Sequence, residues 1–157
     1  MKRTAKFMGI GAALLLLLVQ LYQPERTNPP IDASRTLQAR VEVPAEVEAI
    51  FKRSCFDCHS HATRWPWYSY VAPTSWLVAG DVEEARHEMN LSDWAAFDAK
   101  KADQKLEAIC EEVTEGAMPL PSYTMIHWDA KLSSAEVETL CRWTNATRKQ
   151  LASSGSD

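Results

Sequence analysis

Cys55 and Cys58 stand one helical turn apart with His59 directly behind them, in Cys55-Phe56-Asp57-Cys58-His59. Two thiols at that spacing, followed at once by an imidazole, suit one particular chemistry. The thiols can form thioethers with the two vinyl groups of a porphyrin, and His59 is then held beneath the iron as its proximal ligand. A zinc knuckle would need a second closely spaced ligand pair, and the other two cysteines, Cys110 and Cys141, stand well apart. A thioredoxin-like dithiol would need strands around it, and no stretch alternates as a strand should. The expected cofactor is one covalently attached haem c.

Gly116-Ala117-Met118-Pro119-Leu120 offers a second axial ligand. It sets Met118 in a proline-stiffened loop directly after a predicted helix. A thioether opposite the histidine raises the reduction potential; the competing reading is that Met118 merely packs, as loop methionines commonly do. His127, in Met125-Ile126-His127-Trp128, is the rival distal ligand, because its loop lies close enough in sequence to reach the same face. His61 is too near His59 to swing round, His87 reads as a solvated helix residue, and Met89 and Met125 read as core.

Four helical patterns must position these groups. Pro44 suits a first helical position, and Val47, Ile50, Phe51 and Ser54 share a face, with Glu48 and Lys52 spaced to pair. Val82, Ala85 and Met89 suggest a short helix over residues 80–89. Leu106, Ile109, Cys110 and Val113 mark a helix over about 99–115, stopped by Gly116. Ser133-Ser134-Ala135-Glu136 is a capping box ahead of Val137, Leu140, Cys141 and Thr144. The fold class is all-α. Cys110 and Cys141 lie on inward stripes flanking the Met118 loop, and a disulfide between them is expected if the chain is exported.

Lys2, Arg3 and Lys6 precede an apolar run from Phe7 to Val19, the pattern of an export signal. No good cleavage site follows, so the expectation is a retained anchor over residues 1–22, with cleavage as the alternative. A helix from Phe7 to Tyr22 would rise only roughly 24 Å against a hydrocarbon core of about 30 Å. By charge, everything beyond Tyr22 lies outside the cytoplasm, on the periplasmic side of the inner membrane. Residues 23–43, with Pro24, Pro29 and Pro30, read as an extended linker. Residues 44–150 form the haem-binding domain and 151–157 a flexible tail.

The chain has 157 residues, 46% apolar and 24% charged, which suits one globular domain with a short appendage. Without Lys2, Arg3 and Lys6 the basic count falls from 17 to 14 against the same 21 acids, a net of −7. Nucleic acid is a poor partner for such a body, while a redox protein with a basic docking surface is a good one. Five glycines and no phosphate-loop motif argue against a nucleotide fold. Trp65, Trp67, Tyr68, Tyr70 and Trp76 crowd one short stretch. They are expected as the apolar jacket of the haem, or as propionate partners or a docking surface. A backbone carbonyl near Pro66 or Pro73 is expected to accept the His59 Nδ1–H.

Taken together, Cys55 to His61, the Trp65-Pro66-Trp67-Tyr68-Ser69-Tyr70 run with Ala72-Pro73 and Ser75-Trp76-Leu77, Leu91-Ser92-Asp93-Trp94, and the Met118 loop with Tyr123, His127 and Trp128 resemble a family of exported bacterial haem-binding domains. Arg26-Thr27-Asn28-Pro29-Pro30 and the Leu132-Ser133 to Glu136 helix start are similar to the same pattern. One departure is His61, where the resemblance leads us to expect a small polar residue such as Asn. The resemblance implies a monohaem, cytochrome c-like domain, with Tyr123 beside the haem, and no particular reaction. If protein fills both axial positions, the haem exchanges electrons and has no open site for substrate. One-electron transfer is therefore the leading expectation. The alternatives are a haem sensor in which Met118 is displaced by a small gas, and, less favoured, a peroxidase-type enzyme, for which no distal acid–base group stands out.

Overall fold

The structure, a computed structural model, describes residues 2–154. Every regular element among them is helical. The α-helices are α1 (Lys2–Val19), α2 (Leu37–Arg40), α3 (Ala45–Ser54), α4 (Phe56–His59), α5 (Thr74–Glu88), α6 (Ala99–Glu115), α7 (Pro121–Thr124) and α8 (Ser134–Ser154). Single 3₁₀ turns sit at Ala33–Arg35, Trp67–Tyr70, Trp94–Ala96 and Trp128–Ala130.

The core forms where the apolar stripes of α3, α6 and α8 meet. Val47, Ile50 and Phe51 of α3, Leu106 and Ile109 of α6, and Leu140 and Trp143 of α8 are buried together. Phe51 meets Trp143 edge-on at 5.5 Å, and the Trp143 indole donates to the Glu42 carbonyl at 3.0 Å. α6 runs along α8, with Cys110 and Cys141 at disulfide distance and their Cα atoms 4.7 Å apart. Arg148 forks onto Asp103 and also meets Glu107 at 2.9 Å, tying the same two helices outside the core. The expected Glu48–Lys52 pair forms at 2.7 Å on α3.

The helix ends follow sequence chemistry. Asp98 caps α6 by accepting from the Lys101 amide at 2.8 Å, and Gly116 ends it at φ 71°, a left-handed conformation that favours glycine. Before α8, Ser133 donates to Glu136 Oε2 and the Glu136 amide donates back to Ser133 Oγ. The Ser133 amide, followed by Ser133 Oγ and Arg53, holds the Glu136 carboxyl below its ordinary value of 4.5. A carboxylate depressed in this way stabilises the fold above its ordinary pKa, and that stabilisation disappears as pH falls through the folded value. Glu136→Ala should therefore cost about 1 kcal/mol at neutral pH. In denaturant titrations at several pH values, the gap between parent and variant should narrow progressively as pH falls below the ordinary carboxyl value of 4.5.

Four sequence expectations need correction. Within residues 23–43, expected as an extended linker, Leu37 is wholly buried and its amide donates to the Leu91 carbonyl at 2.9 Å. The stretch from Ala33 onward thus packs against the domain. α5 begins at Thr74, well ahead of the stripe that suggested it, and α8 continues to Ser154 into the expected tail; residues 155–157 lie outside the described part. No described helix is long and apolar enough to cross a membrane. The spanning anchor is not borne out because Lys2, Arg3 and Lys6 occupy the start of α1. The apolar remainder, Phe7 to Val19, rises only about 20 Å.

Candidate functional site

Cys55 interrupts the helical run between α3 and α4, and its carbonyl accepts from the Cys58 and His59 amides at 3.2 and 2.9 Å. That single turn brings both thiols and the imidazole to one side. His59 Nδ1 lies 3.1 Å from the Ala85 carbonyl and 3.0 Å from the Met89 carbonyl at the end of α5. Carbonyl oxygens only accept, so Nδ1 carries the proton and a neutral ring keeps its lone pair on Nε2. Burial pushes the His59 pKa below its ordinary value, against the pull of the two carbonyls. The ring is thus neutral, fixed in tautomer and oriented, which is what a metal-binding imidazole requires. The fixing carbonyls are not those expected near Pro66 or Pro73. They come from the last turn of α5 and its cap: the Ala85 carbonyl also accepts the Met89 amide at 2.8 Å, and the Met89 carbonyl lies past the helix end.

His59, Cys55, Cys58, Met118 and Tyr123 line one cavity of about 390 Å³. Its walls are mainly apolar, with Phe51 of α3, Ala85 and Met89 near the end of α5, Ile109 and Val113 of α6, and Pro119 and Leu120 of the following loop. The two thiols are unbridged. Burial pushes Cys55 up to about 12 and Cys58 up to about 11, with the neighbouring thiol and Asp57 respectively adding to the effect. Both therefore stay protonated, unlike zinc-binding thiolates. Met118 is half-buried, and the Ala117 and Met118 amides both donate to the Glu112 carbonyl, at 2.9 and 3.1 Å, fixing the loop as it leaves α6.

The aromatic block behaves differently. Trp65, Trp67, Tyr68 and Trp76, expected around the haem, do not line this cavity. Trp67 is largely exposed, and Trp65 and Trp76 face a separate groove beside Tyr22 and Arg86. The rival ligand His127 is also off the cavity: its ring stacks on Tyr123 at 4.3 Å and its Nε2 shares a 2.8 Å hydrogen bond with the Tyr68 hydroxyl. His61 instead meets Asn90 at 2.7 Å. Met89 packs on the core as expected, but Met125 is 85% exposed and belongs to no core.

Two residues that sequence reasoning missed shape the site. Asp57, between the cysteines, accepts from Tyr123 Oη at 2.8 Å and from the Arg64 guanidinium through both oxygens. Burial and then Asp57 push the Tyr123 pKa well up, so its hydroxyl remains a donor. Arg86 of α5 donates to the Ser60 and Thr27 carbonyls, to Asn28 Oδ1 and to Thr63 Oγ1, closing the loop after His59 onto the segment ahead of the domain. Neither contact has a local signature, because the partners are remote in the chain.

The sequence profile of a haem-binding domain matches residues 14–146. The chain belongs to that haem-binding domain family. No curated protein and no solved structure matches it. Membership brings haem as the cofactor, and the cavity of this haem-binding domain fits one. It is apolar, an oriented neutral imidazole lines it, and His59 Nε2 has no hydrogen-bond partner among the described residues. Two unbridged thiols and a thioether line the same space.

Proposed function

We propose that this chain is a cytochrome c-like electron carrier. One haem c is attached through Cys55 and Cys58, with His59 and Met118 as axial ligands. The carrying observation is that these four side chains line one apolar cavity while His127 is engaged elsewhere. Bound haem supplies an iron that changes oxidation state by one electron. The chain supplies everything else: Ala85 and Met89 hold the imidazole, Glu112 and Gly116 hold the methionine loop, and the apolar wall keeps water away.

A periplasmic location is supported by the basic-then-apolar start of the chain and by the Cys110–Cys141 pair, which suits an oxidising compartment. A basic redox partner is supported by the rim of the cavity. Asp81, Glu84, Glu88 and Glu112 border it against Lys105 alone, so a positively charged surface would be drawn to the haem edge.

Optical spectra of the holoprotein test the ligation. The ferric protein should be low-spin, with a weak band toward the red from methionine–iron charge transfer. Met118→Ala should abolish that band and lower the reduction potential. An unchanged spectrum in the variant, or rapid carbon monoxide binding by the unaltered ferrous protein, sinks the His59/Met118 assignment.

A further inference from the structure

We propose that Tyr123 and Asp57 form a latch that holds the arm bearing Met118 shut over the cavity, with His127 and Tyr68 as its brace. Val113 and Ala130 are buried, but every residue from 114 to 129 is at least partly exposed. This arm supplies Met118, Pro119, Leu120 and Tyr123 to the cavity wall. It places nothing in the core, so the burial that fixes α3, α6 and α8 does not fix it. What the arm covers rests on the haem reading proposed above; the latch itself is a matter of bonds within the chain.

At its near end the arm is held by the Glu112 carbonyl, which accepts the Ala117 and Met118 amides. Farther along, α7 buries no side chain. Among the described residues, two side-chain hydrogen bonds tie this stretch to remote parts of the chain. Tyr123 Oη donates to Asp57 Oδ2 at 2.8 Å, across 66 residues, and His127 Nε2 shares its 2.8 Å bond with the Tyr68 hydroxyl across 59. The Tyr123 and His127 rings, stacked 15° from parallel, join the two bonds into one unit. Asp57 lies between Cys55 and Cys58, so the latch ties the wall bearing the thiols to the arm bearing the thioether. Its carboxylate is preset: the side chain is only 14% exposed, and Arg64 grips both oxygens. A bond to a charged acceptor is also the stronger kind. Tyr123 and Asp57 are thus positioning residues, acting on the haem site through Met118.

Tyr123→Phe tests the latch. It keeps the ring, and Asp57 keeps Arg64, so no carboxylate is orphaned and the variant should fold and load haem. In the haem-loaded chain, hydrogen exchange over 117–127 should quicken about tenfold, while exchange over 140–147 in α8 stays as in the parent. The red methionine band should weaken, and carbon monoxide uptake by the ferrous form should rise by a similar factor. Tyr68→Phe, which lies off the cavity, should act in the same direction but less. Unaltered exchange over 117–127 in Tyr123→Phe overturns the latch, and so does equal quickening over 140–147. If Tyr123→Phe fails to load haem, unaltered exchange in Tyr68→Phe overturns it. In a parent that shows the band, quicker exchange with unchanged carbon monoxide uptake overturns the positioning role. A parent without the band sinks the Met118 ligation instead, and exchange alone then decides the latch.

Discussion

Replacing Cys55 and Cys58 together by alanine should leave no haem on the chain once it is denatured. The parent should keep its haem absorbance through denaturation and show a mass above that of the bare polypeptide. Both sulfurs border the cavity and neither is bridged, so both are available for thioether bonds to one porphyrin. Each single variant retains one attachment point and should hold haem covalently at lower yield. The double variant keeps His59 and Met118, so it should still bind haem reversibly, and that haem should partition into organic solvent on acidification. Denaturation-resistant haem in the double variant would end the covalent reading while leaving family membership untouched.

Removing the Cys110–Cys141 link should be the costliest change away from the cavity. The two positions are separated by 31 residues, and closing a loop of that length restricts the unfolded chain by about 3–4 kcal/mol in the chain-entropy account. Cys110→Ser with Cys141→Ser should therefore raise the unfolding equilibrium constant roughly 10²- to 10³-fold in a denaturant titration under oxidising conditions. Adding reductant to the parent should produce a similar loss. A change below about 0.5 kcal/mol would show that the pair contributes nothing to the folded state. The consequence reaches the cavity, because the linked helices bracket the segment holding Met118. Loosening α6 against α8 should make the methionine easier to displace, seen as faster carbon monoxide uptake by the ferrous variant.

The parts of the fold that were legible in the sequence are those governed by local rules. α6 carries its stripe at helical spacing and ends on a glycine that adopts a left-handed φ, and α8 opens on a reciprocal capping box. α5 was half-seen because its first turns carry no apolar stripe: Leu77 there faces outward while Ser75 is buried. Leu37 was invisible for a related reason. Its surroundings are proline-rich and aperiodic, and its place in the core is set by a remote contact with Leu91. At the site, Cys55, Cys58, His59 and Met118 announced themselves by spacing, whereas the carbonyls of Ala85 and Met89 belong to the backbone and leave no trace in residue type. The tryptophan-rich block misled because aromatic composition gives no direction. Those side chains spread over a groove and an exposed rim instead of closing round the cavity.

Leu91 sits between the His59 imidazole and the start of the packed chain. Its amide donates to the His59 carbonyl at 2.8 Å, and its own carbonyl accepts from Leu37. Both leucines are almost wholly buried, so neither amide proton can trade with water until that junction parts. Deuterium uptake at these two positions becomes a clock for local opening under the histidine. It can be read without light absorption and in any oxidation state.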